Sequence, residues 1–75
     1  MPVMHGVDSS SIRAVGYDPE RRRLYIRFAD SAHLYAYRDV PPDVYVDLMQ
    51  AASKGAYVNT QVKPHYDYTT MEPST

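Results

Sequence analysis

A chain of 75 residues suffices for one small domain. Such a domain buries only about 60% of the surface that its unfolded chain exposes, so its small core must be built from large side chains. The absence of cysteine excludes disulfides and thiolate metal sites, and a net charge of -1 argues against indiscriminate binding to polyanions. Eight tyrosines and one phenylalanine supply the large side chains, so we expect a core rich in tyrosine.

The sequence shows no pattern of an N-terminal targeting segment or of a membrane span. The first ten residues lack a basic flank followed by an apolar run, and no stretch approaches the ~20 apolar residues of a membrane span. Together with the absence of cysteine, this predicts a cytoplasmic protein with no membrane partner. We expect a flexible N-terminus over residues 1–9, a single domain over residues 10–70 and a flexible C-terminus over residues 71–75.

The first half of the chain has the pattern of strands joined by tight turns. SIRAVGY (11–17) predicts a strand in which Gly16 permits a bulge or a close approach of another backbone. Asp18-Pro19 then opens a turn, because Asp accepts hydrogen bonds from the backbone that follows it and Pro presets the next dihedral angle. Residues 23–28 alternate, with Leu24, Ile26 and Phe28 on one face and Arg23, Tyr25 and Arg27 on the other.

A third strand follows the turn-forming residues ADSA (29–32). In HLYAYR (33–38), both tyrosines lie on one side of the strand, and the other side carries Leu34, Ala36 and Arg38. The three strands predict an antiparallel meander.

Two helices are expected after the meander. Val40-Pro41-Pro42 stops the sheet, since proline cannot donate to a strand ladder but suits the first turn of a helix. An amphipathic helix with Asp43 near its N-terminus follows, and its apolar positions are Val44, Tyr45, Leu48, Met49 and Ala52. Ser53 caps a second helix through KGAYVNTQV (54–62), which Pro64 ends. HYDYTTM (65–71) alternates once more and predicts an extended segment against the domain.

These elements predict an α+β domain, a three-stranded antiparallel meander followed by two short helices packed on one face (β-β-β-α-α). The opposite face is then open to solvent or to a partner. If the helices cover the face of Tyr35 and Tyr37, both rings are structural and do not form a stacking platform for a ligand. The expected core consists of Leu24, Ile26, Phe28, Tyr35, Tyr37, Val44, Tyr45, Leu48, Tyr57 and Val62.

The order of these motifs is itself informative. The GYD turn (16–18), the central Tyr35-Ala36-Tyr37, the Val-Pro that follows, the SKG segment (53–55) and the stretch from Tyr57 to Val62 precede a closing YDY (66–68). From Ser10 to Tyr68 the chain thereby resembles the KTSC domain, a short bacterial module found at the C-terminus of some lysyl-tRNA synthetases and as a small stand-alone protein. The resemblance implies RNA binding and no established catalytic activity. At Asn59, Thr60 and Asp67 the chain is less basic than similar sequences, which argues against a nucleic-acid contact in the C-terminal segment.

No catalytic or metal-binding constellation is visible in the sequence. His5, His33 and His65 are far apart and have no paired spacing, while Asp43 and Asp47 are typical of the solvated face of a helix. There is no GxSxG elbow and no glycine-rich phosphate loop. We therefore expect a non-enzymatic binding module that uses no cofactor and no metal.

The basic residues carry the sharpest functional hypothesis. Residues 13–38 contain six arginines against three acids. On the open face of the sheet, arginines around an exposed Tyr25 would offer cations to phosphates and a flat ring to a base, as single-stranded RNA or DNA binding requires. The predicted nucleic-acid-binding residues are Arg23, Tyr25, Arg27 and Arg38, with Arg21, Arg22 and Lys54 as peripheral charge.

Two other interpretations fit the same residues. A half-exposed sheet keeps charged and aromatic side chains outward for solubility and cross-strand pairing. Alternatively, the open face or a strand edge packs against a second copy or a partner protein. Leu34 and Val15 on the open face would favour this protein-interaction module, because they would give it an apolar centre.

Overall fold

The structure is a computed structural model that describes residues 2–71. Within these residues, one antiparallel sheet has the strand order β1-β2-β3-β4-β5, and two helices lie between β4 and β5 along the chain. The strands are β1 (His5–Gly6), β2 (Ile12–Asp18), β3 (Arg23–Phe28), β4 (Leu34–Tyr37) and β5 (Tyr68–Met71). The helices are α1 (Pro42–Gln50) and α2 (Lys54–Tyr57), and α2 continues as a π-helix over Val58–Val62.

The predicted α+β class is confirmed, but the predicted number of strands is wrong. The predicted meander forms β2, β3 and β4, and one further strand pairs with each of its edges. In β1, His5 pairs with Val15, and in β5, Tyr68 pairs with Tyr37. The two residues of β1 are too few to show alternation, and both helices separate β5 from β4 in sequence. Neither edge strand therefore belongs to the local pattern that predicts the meander.

The expected domain limits stay predictions. The N-terminal segment that was expected to be flexible contains β1, and Met71, the first residue of the expected C-terminal tail, ends β5. The rest of that tail, residues 72–75, lies outside the described residues.

The turn between β2 and β3 forms as Asp18 predicts. The Asp18 carboxylate accepts hydrogen bonds from the backbone N–H groups of Glu20 and Arg21 at 3.1 and 3.3 Å. Arg22 has a φ of 55°, in the left-handed region, and its carbonyl oxygen accepts a hydrogen bond from the Val40 N–H at 2.8 Å. The end of this hairpin is thereby joined to the connection between β4 and α1.

The core lies between the sheet and the helices. Its fully buried members are Ile12, Val15, Leu24, Ile26, Tyr37, Val40, Leu48, Val58 and Val62. Of the other expected core residues, Phe28, Tyr35, Val44, Tyr45 and Tyr57 are partly buried and pack at its margin. Because side chains alternate along a strand, the apolar side of β3 faces the helices and its charged side faces away from them.

Helix α1 begins where the paired prolines predict. Pro41 is the N-cap and Pro42 is the first helical residue, where no backbone N–H is needed. The ring of Tyr45 stacks on Tyr17 of β2 with 5.3 Å between centroids. The Tyr17 hydroxyl donates a hydrogen bond to the Val40 carbonyl oxygen at 2.6 Å. One tyrosine of β2 thus holds both the start of α1 and the loop before it.

Helix α2 begins at its predicted cap. The Ser53 hydroxyl accepts a hydrogen bond from the Ala56 N–H at 3.3 Å. Gly55 contacts Ser11 so closely that a Cβ there would collide with the Ser11 hydroxyl. The π-helix that follows ends in a hydrogen bond of 2.9 Å from the Lys63 N–H to the Val58 carbonyl oxygen. None of the helices in residues 2–71 has both the length and the apolar composition of a membrane-spanning helix.

Candidate functional site

The side of the sheet opposite the helices carries most of the predicted binding residues, and we call it the arginine face. Strand pairing places Tyr25 between Gly16 and Ala36, and Arg27 beside Leu34. The face consists of Arg23, Tyr25 and Arg27 from β3, Leu34 and Ala36 from β4, and Arg38 directly after β4.

The structure corrects the expected exposure of Tyr25. Tyr25 is 4% exposed, and it forms a buried cluster with Leu34 against which Met4 packs. The N-terminal segment can lie this close because Gly16 has no side chain. A Cβ on Gly16 would lie 2.7 Å from the Met4 sulfur and 3.0 Å from the Val3 carbonyl oxygen. A base therefore has no access to the Tyr25 ring while Met4 covers it.

The two residues that bear on protein interaction lie on different faces. Leu34 is on the arginine face and is 2% exposed, whereas Val15 is in the core beneath the helices. The apolar centre of the arginine face is thus already covered by the chain's own N-terminal segment.

The arginines are divided between the two ends of the arginine face. Arg23 and Arg38 line a shallow cavity of about 210 Å³ at one end. A carboxylate oxygen of Asp67 lies 3.9 Å from the Arg38 guanidinium. At the other end, Arg27 and Arg13 line a depression beside the turn between β3 and β4. The structure therefore does not gather these arginines around one aromatic ring.

The three peripheral cations lie outside the arginine face. Arg21 forms an ion pair of 3.2 Å with Asp18 in the hairpin turn, where Arg22 is exposed. Desolvation acts to raise the pKa of Asp18, but hydrogen bonds from Arg21 outweigh it and hold that pKa below its usual value. Lys54 lies on the helix side, where its Nζ donates a hydrogen bond to the Ala51 carbonyl oxygen at 3.1 Å.

A second surface, which we call the aromatic groove, lies on the helix side of the sheet along β4 and β5. Tyr68 is 52% exposed, and its ring centroid lies 5.1 Å from Tyr35 and 5.5 Å from Tyr37. Phe28 meets Tyr35 edge to face at 5.1 Å. The groove has a volume of about 360 Å³. Its lining residues are Phe28, Asp30, Ser31, Tyr35, Tyr37, Lys63 and Tyr68.

One cation lies where the aromatic groove meets a neighbouring cavity. The Lys63 Nζ lies 4.9 Å from the centroid of the Phe28 ring, in a cation–π contact. Phe28, Asp30 and Lys63 line both the groove and a cavity of about 260 Å³, which we call the side cavity. Its other lining residues are Ser10, Ser11, Ala29, Gly55 and Asn59.

The tyrosines of the groove differ in burial and therefore in what they can do. Burial, reinforced by the neighbouring phenols of Tyr68 and Tyr35, raises the pKa of Tyr37 to about 12. Tyr37 is 1% exposed and is an anchor of the core, whereas half of Tyr68 is open to solvent. The charged side chains that line the groove are Asp30 and Lys63.

The sequence profile of the KTSC domain matches residues 8–66. The chain belongs to the KTSC domain family. Two proteins are similar to this chain over most of their length. A protein of Tsukamurella paurometabola is 48% identical over 63 residues, which are 84% of this chain and 92% of that protein. An uncharacterized protein of Stutzerimonas stutzeri is 46% identical over 63 residues, which are 83% of this chain and 87% of that protein.

One solved structure and one tRNA ligase are also similar to this chain. A KTSC domain protein of Yersinia pestis, known from its crystal structure, superimposes with a TM-score of 0.90 at 31% identity, covering 95% of this chain and 99% of that one. The fold of this KTSC domain is therefore that of a solved family member. A lysine–tRNA ligase of Nostoc punctiforme is 36% identical over 61 residues, which are 81% of this chain and 11% of that enzyme.

Sequence reasoning misses the most exposed ring of this KTSC domain. It places Tyr68 in an extended segment against the domain and argues against a nucleic-acid contact there, whereas Tyr68 presents half its surface to solvent beside Tyr35. A signal is present in the alternation of residues 65–71, which resembles that of β4. Pairing the two segments as neighbouring strands brings Tyr68 opposite Tyr37.

Proposed function

We propose that this KTSC domain is a non-enzymatic module that binds single-stranded nucleic acid, RNA in the first place, in the aromatic groove. One observation carries the proposal: the 52% exposed ring of Tyr68 lies 5.1 Å from Tyr35 in a groove that also contains Lys63. The sequence predicts binding by a flat ring beside cations, and the proposal keeps this chemistry. It assigns base stacking to Tyr68 instead of Tyr25.

Stacking supplies the first part of the binding energy. Every base has a π-face, so an exposed aromatic side chain can bind single strands without regard to sequence, and each such stack is worth about 1–3 kcal/mol. Tyr35 and Tyr37 pack beneath Tyr68 and restrict its ring before a base arrives. Such preorganisation reduces the entropic cost of binding.

Cations on both sides of the turn between β3 and β4 supply the second part. Lys63 lines the groove on one side of the turn, and Arg13 and Arg27 line the depression on its other side. A strand whose base stacks on Tyr68 can therefore pass these three cations in succession. With about three phosphate contacts, binding should weaken roughly 20-fold between 50 and 200 mM salt.

A relative supports RNA as the nucleic acid. The Nostoc punctiforme relative is a lysine–tRNA ligase, so a segment similar to this chain is part of a protein whose name specifies tRNA. Recognition of RNA by proteins mostly uses unpaired bases that stack on aromatic or guanidinium planes, which is the chemistry that the groove offers.

The test is fluorescence anisotropy with labelled single-stranded RNA and DNA of about ten nucleotides, over a series of salt concentrations. We expect Tyr68→Ala to weaken binding at least tenfold, because it removes the stacking surface. Tyr68→Phe keeps the ring and should bind nearly as well. Val46→Ala is the matched control, since Val46 is 49% exposed on α1 and lines neither the groove nor the side cavity. No binding at 50 mM salt, or equal binding by Tyr68→Ala, would contradict the proposal.

A second candidate function, self-association or binding of a partner protein, is favoured by a different observation. All four residues of β5 are exposed, and one edge of this strand has no neighbour within residues 2–71. Exposed strand edges can pair with another chain. Light scattering coupled to size exclusion tests self-association, and a monomer at every concentration would exclude it.

A further inference from the structure

One side chain in the aromatic groove does not fit a surface that binds only phosphates. Asp30 lines the groove, the side cavity and the depression that contains Arg13 and Arg27. A carboxylate in this position repels the phosphates that the neighbouring cations attract. It must therefore either weaken nucleic-acid binding or receive hydrogen bonds from the nucleic acid.

The backbone around Asp30 is held in place while its side chain is left available. The Ala29 N–H donates to the Ser11 carbonyl oxygen at 3.0 Å, and the Ser31 N–H donates to the Phe28 carbonyl oxygen at 3.3 Å. Across residues 2–71, no side chain or backbone group forms a hydrogen bond or an ion pair with the Asp30 carboxylate. The turn thus presents two acceptor oxygens at the rim of the groove, on a backbone that these two hydrogen bonds hold in place.

The four RNA bases differ in what they can donate to a carboxylate. An ionised carboxylate only accepts hydrogen bonds, through two oxygens side by side. Guanine has two neighbouring donors on its Watson–Crick edge, the N1–H and the N2 amino group. Adenine and cytosine each have one amino group next to an acceptor nitrogen, and uracil has one N–H between two carbonyl groups. Guanine is thus the one RNA base that can satisfy both carboxylate oxygens without placing an acceptor against either.

We propose that the aromatic groove selects guanine at its stacked position, with Asp30 accepting hydrogen bonds from the guanine N1–H and N2 amino groups. This inference rests on the proposed function, because it assigns a base preference to the same groove. Lys63 lines the groove beside Asp30, and its ammonium group, held over Phe28, can donate to the guanine O6 oxygen. The pair Asp30 and Lys63 thereby matches the donor and acceptor groups of one base edge.

The test compares seven-nucleotide RNAs made of uridine with a single central guanosine, adenosine, cytidine or inosine. One guanosine in each strand prevents the four-stranded structures of guanine-rich RNA. We expect the guanosine probe to bind about tenfold more tightly than the adenosine probe, as a bidentate contact discriminates. Inosine lacks the N2 amino group and should lose most of that advantage.

The variant that tests the assignment is Asp30→Asn, which removes the second acceptor and the charge. It should bind the four probes within about threefold of one another, because one amide oxygen replaces two carboxylate oxygens. Asp43→Asn makes the same chemical change in the exposed first turn of α1, away from the groove. This control should keep the guanosine preference, and any general gain in affinity from the lost negative charge should appear in both variants.

The outcomes separate this inference from the proposed function. If all four probes bind equally and Tyr68→Ala still abolishes binding, the guanine preference is wrong and nucleic-acid binding by the groove stands. If Asp30→Asn keeps the preference, or if another base is preferred, the assignment of Asp30 is wrong. If no probe binds at 50 mM salt, both proposals are wrong.

Discussion

Tyr17 joins three parts of the fold through one side chain. Its ring stacks on Tyr45 of α1, and its hydroxyl donates a hydrogen bond of 2.6 Å to the carbonyl oxygen of Val40, which is fully buried. Tyr17→Phe keeps the ring and leaves that carbonyl oxygen without this donor. We expect the free energy of unfolding to fall by about 1–2 kcal/mol, the usual cost of an unsatisfied buried group. Urea denaturation followed by circular dichroism measures this loss.

Tyr45→Phe is the control for that substitution. It removes a hydroxyl from the other ring of the same stacked pair, and no hydrogen bond of the Tyr45 hydroxyl is found within residues 2–71. Its effect should stay below about 0.5 kcal/mol, as for most partly exposed positions. If the two variants lose the same stability, stacking and not the Tyr17 hydrogen bond holds the start of α1.

Tyr35 and Tyr37 show how far strand alternation predicts a site. Alternation places both rings on one side of the sheet, and the structure shows that this is the side that the helices cover. It cannot predict how far the helices extend over that side. Tyr37 is 1% exposed and belongs to the core, while Tyr35 is half-buried and lines the groove with Tyr68. Tyr37 is therefore a core residue, whereas Tyr35 is part of the candidate binding surface.

Strand β1 and the residues before it cover the centre of the arginine face, at Tyr25. The pairing of β1 with β2 places Met4 over Tyr25. The residues before β1 have room there because Gly16 lacks a side chain. Gly16→Ala would bring a Cβ to 3.0 Å from the Val3 carbonyl oxygen, so the segment has to move. We expect a loss of about 1 kcal/mol in stability, typical of mild overpacking. Amide hydrogen exchange at residues 5–7 should become faster.

Gly6→Ala is a matched control within the same pair of strands. A Cβ on Gly6 has nothing within 4 Å, so alanine can be accommodated there without displacement. This variant should exchange at the wild-type rate or more slowly, because alanine restricts the unfolded chain. Equal acceleration in both variants would show that the edge strand, and not the approach over Gly16, determines the exchange.

The N-terminal segment also explains why the expected exposure of Tyr25 is wrong. The sequence identifies Tyr25 as the ring opposite the helices, which is correct, and treats that face as open, which is not. Local patterns define the β2 to β4 meander and α1, since their periodicity is visible within each segment. Met4 covers Tyr25 because β1, a strand of two residues, pairs with β2. The one indication of this in the local sequence is Gly16, which was expected to permit a close approach of another backbone.

At the scale of the whole molecule, each face of the sheet is covered in part, by the helices on one side and by the N-terminal segment over Tyr25 on the other. The nine residues of α1 extend for about 14 Å, and the helices leave the groove-lining residues of β3, β4 and β5 uncovered. The aromatic groove lies in that uncovered part. In a domain that extends 32 × 28 × 22 Å, aromatic side chains thus stay at the surface because the helices do not extend over the whole sheet.

The buried tyrosines make the stability of the whole domain sensitive to alkaline pH. Burial, with the phenols of Tyr68 and Tyr35, raises the pKa of Tyr37 from 10.0 to about 12. Below pH 10 this tyrosine is protonated in both the folded and the unfolded chain, and its stabilising effect is fully present. Between pH 10 and about 12 the unfolded chain releases the proton first, so the free energy of unfolding falls as pH rises.

Tyr37→Phe should make this alkaline decline less steep, because phenylalanine has no proton to lose. Part of the decline should remain, since burial also raises the pKa values of Tyr17 and Tyr57. Tyr68→Phe is the comparison variant: it removes one phenol that reinforces the raised pKa of Tyr37 but leaves the burial of Tyr37, the larger cause, in place, so it should flatten the decline less than Tyr37→Phe does. Urea denaturation at intervals from pH 8 to pH 12 measures the slope for each variant. An unchanged slope for Tyr37→Phe would mean that this buried phenol does not couple folding to alkaline pH, and that the other tyrosines carry the effect.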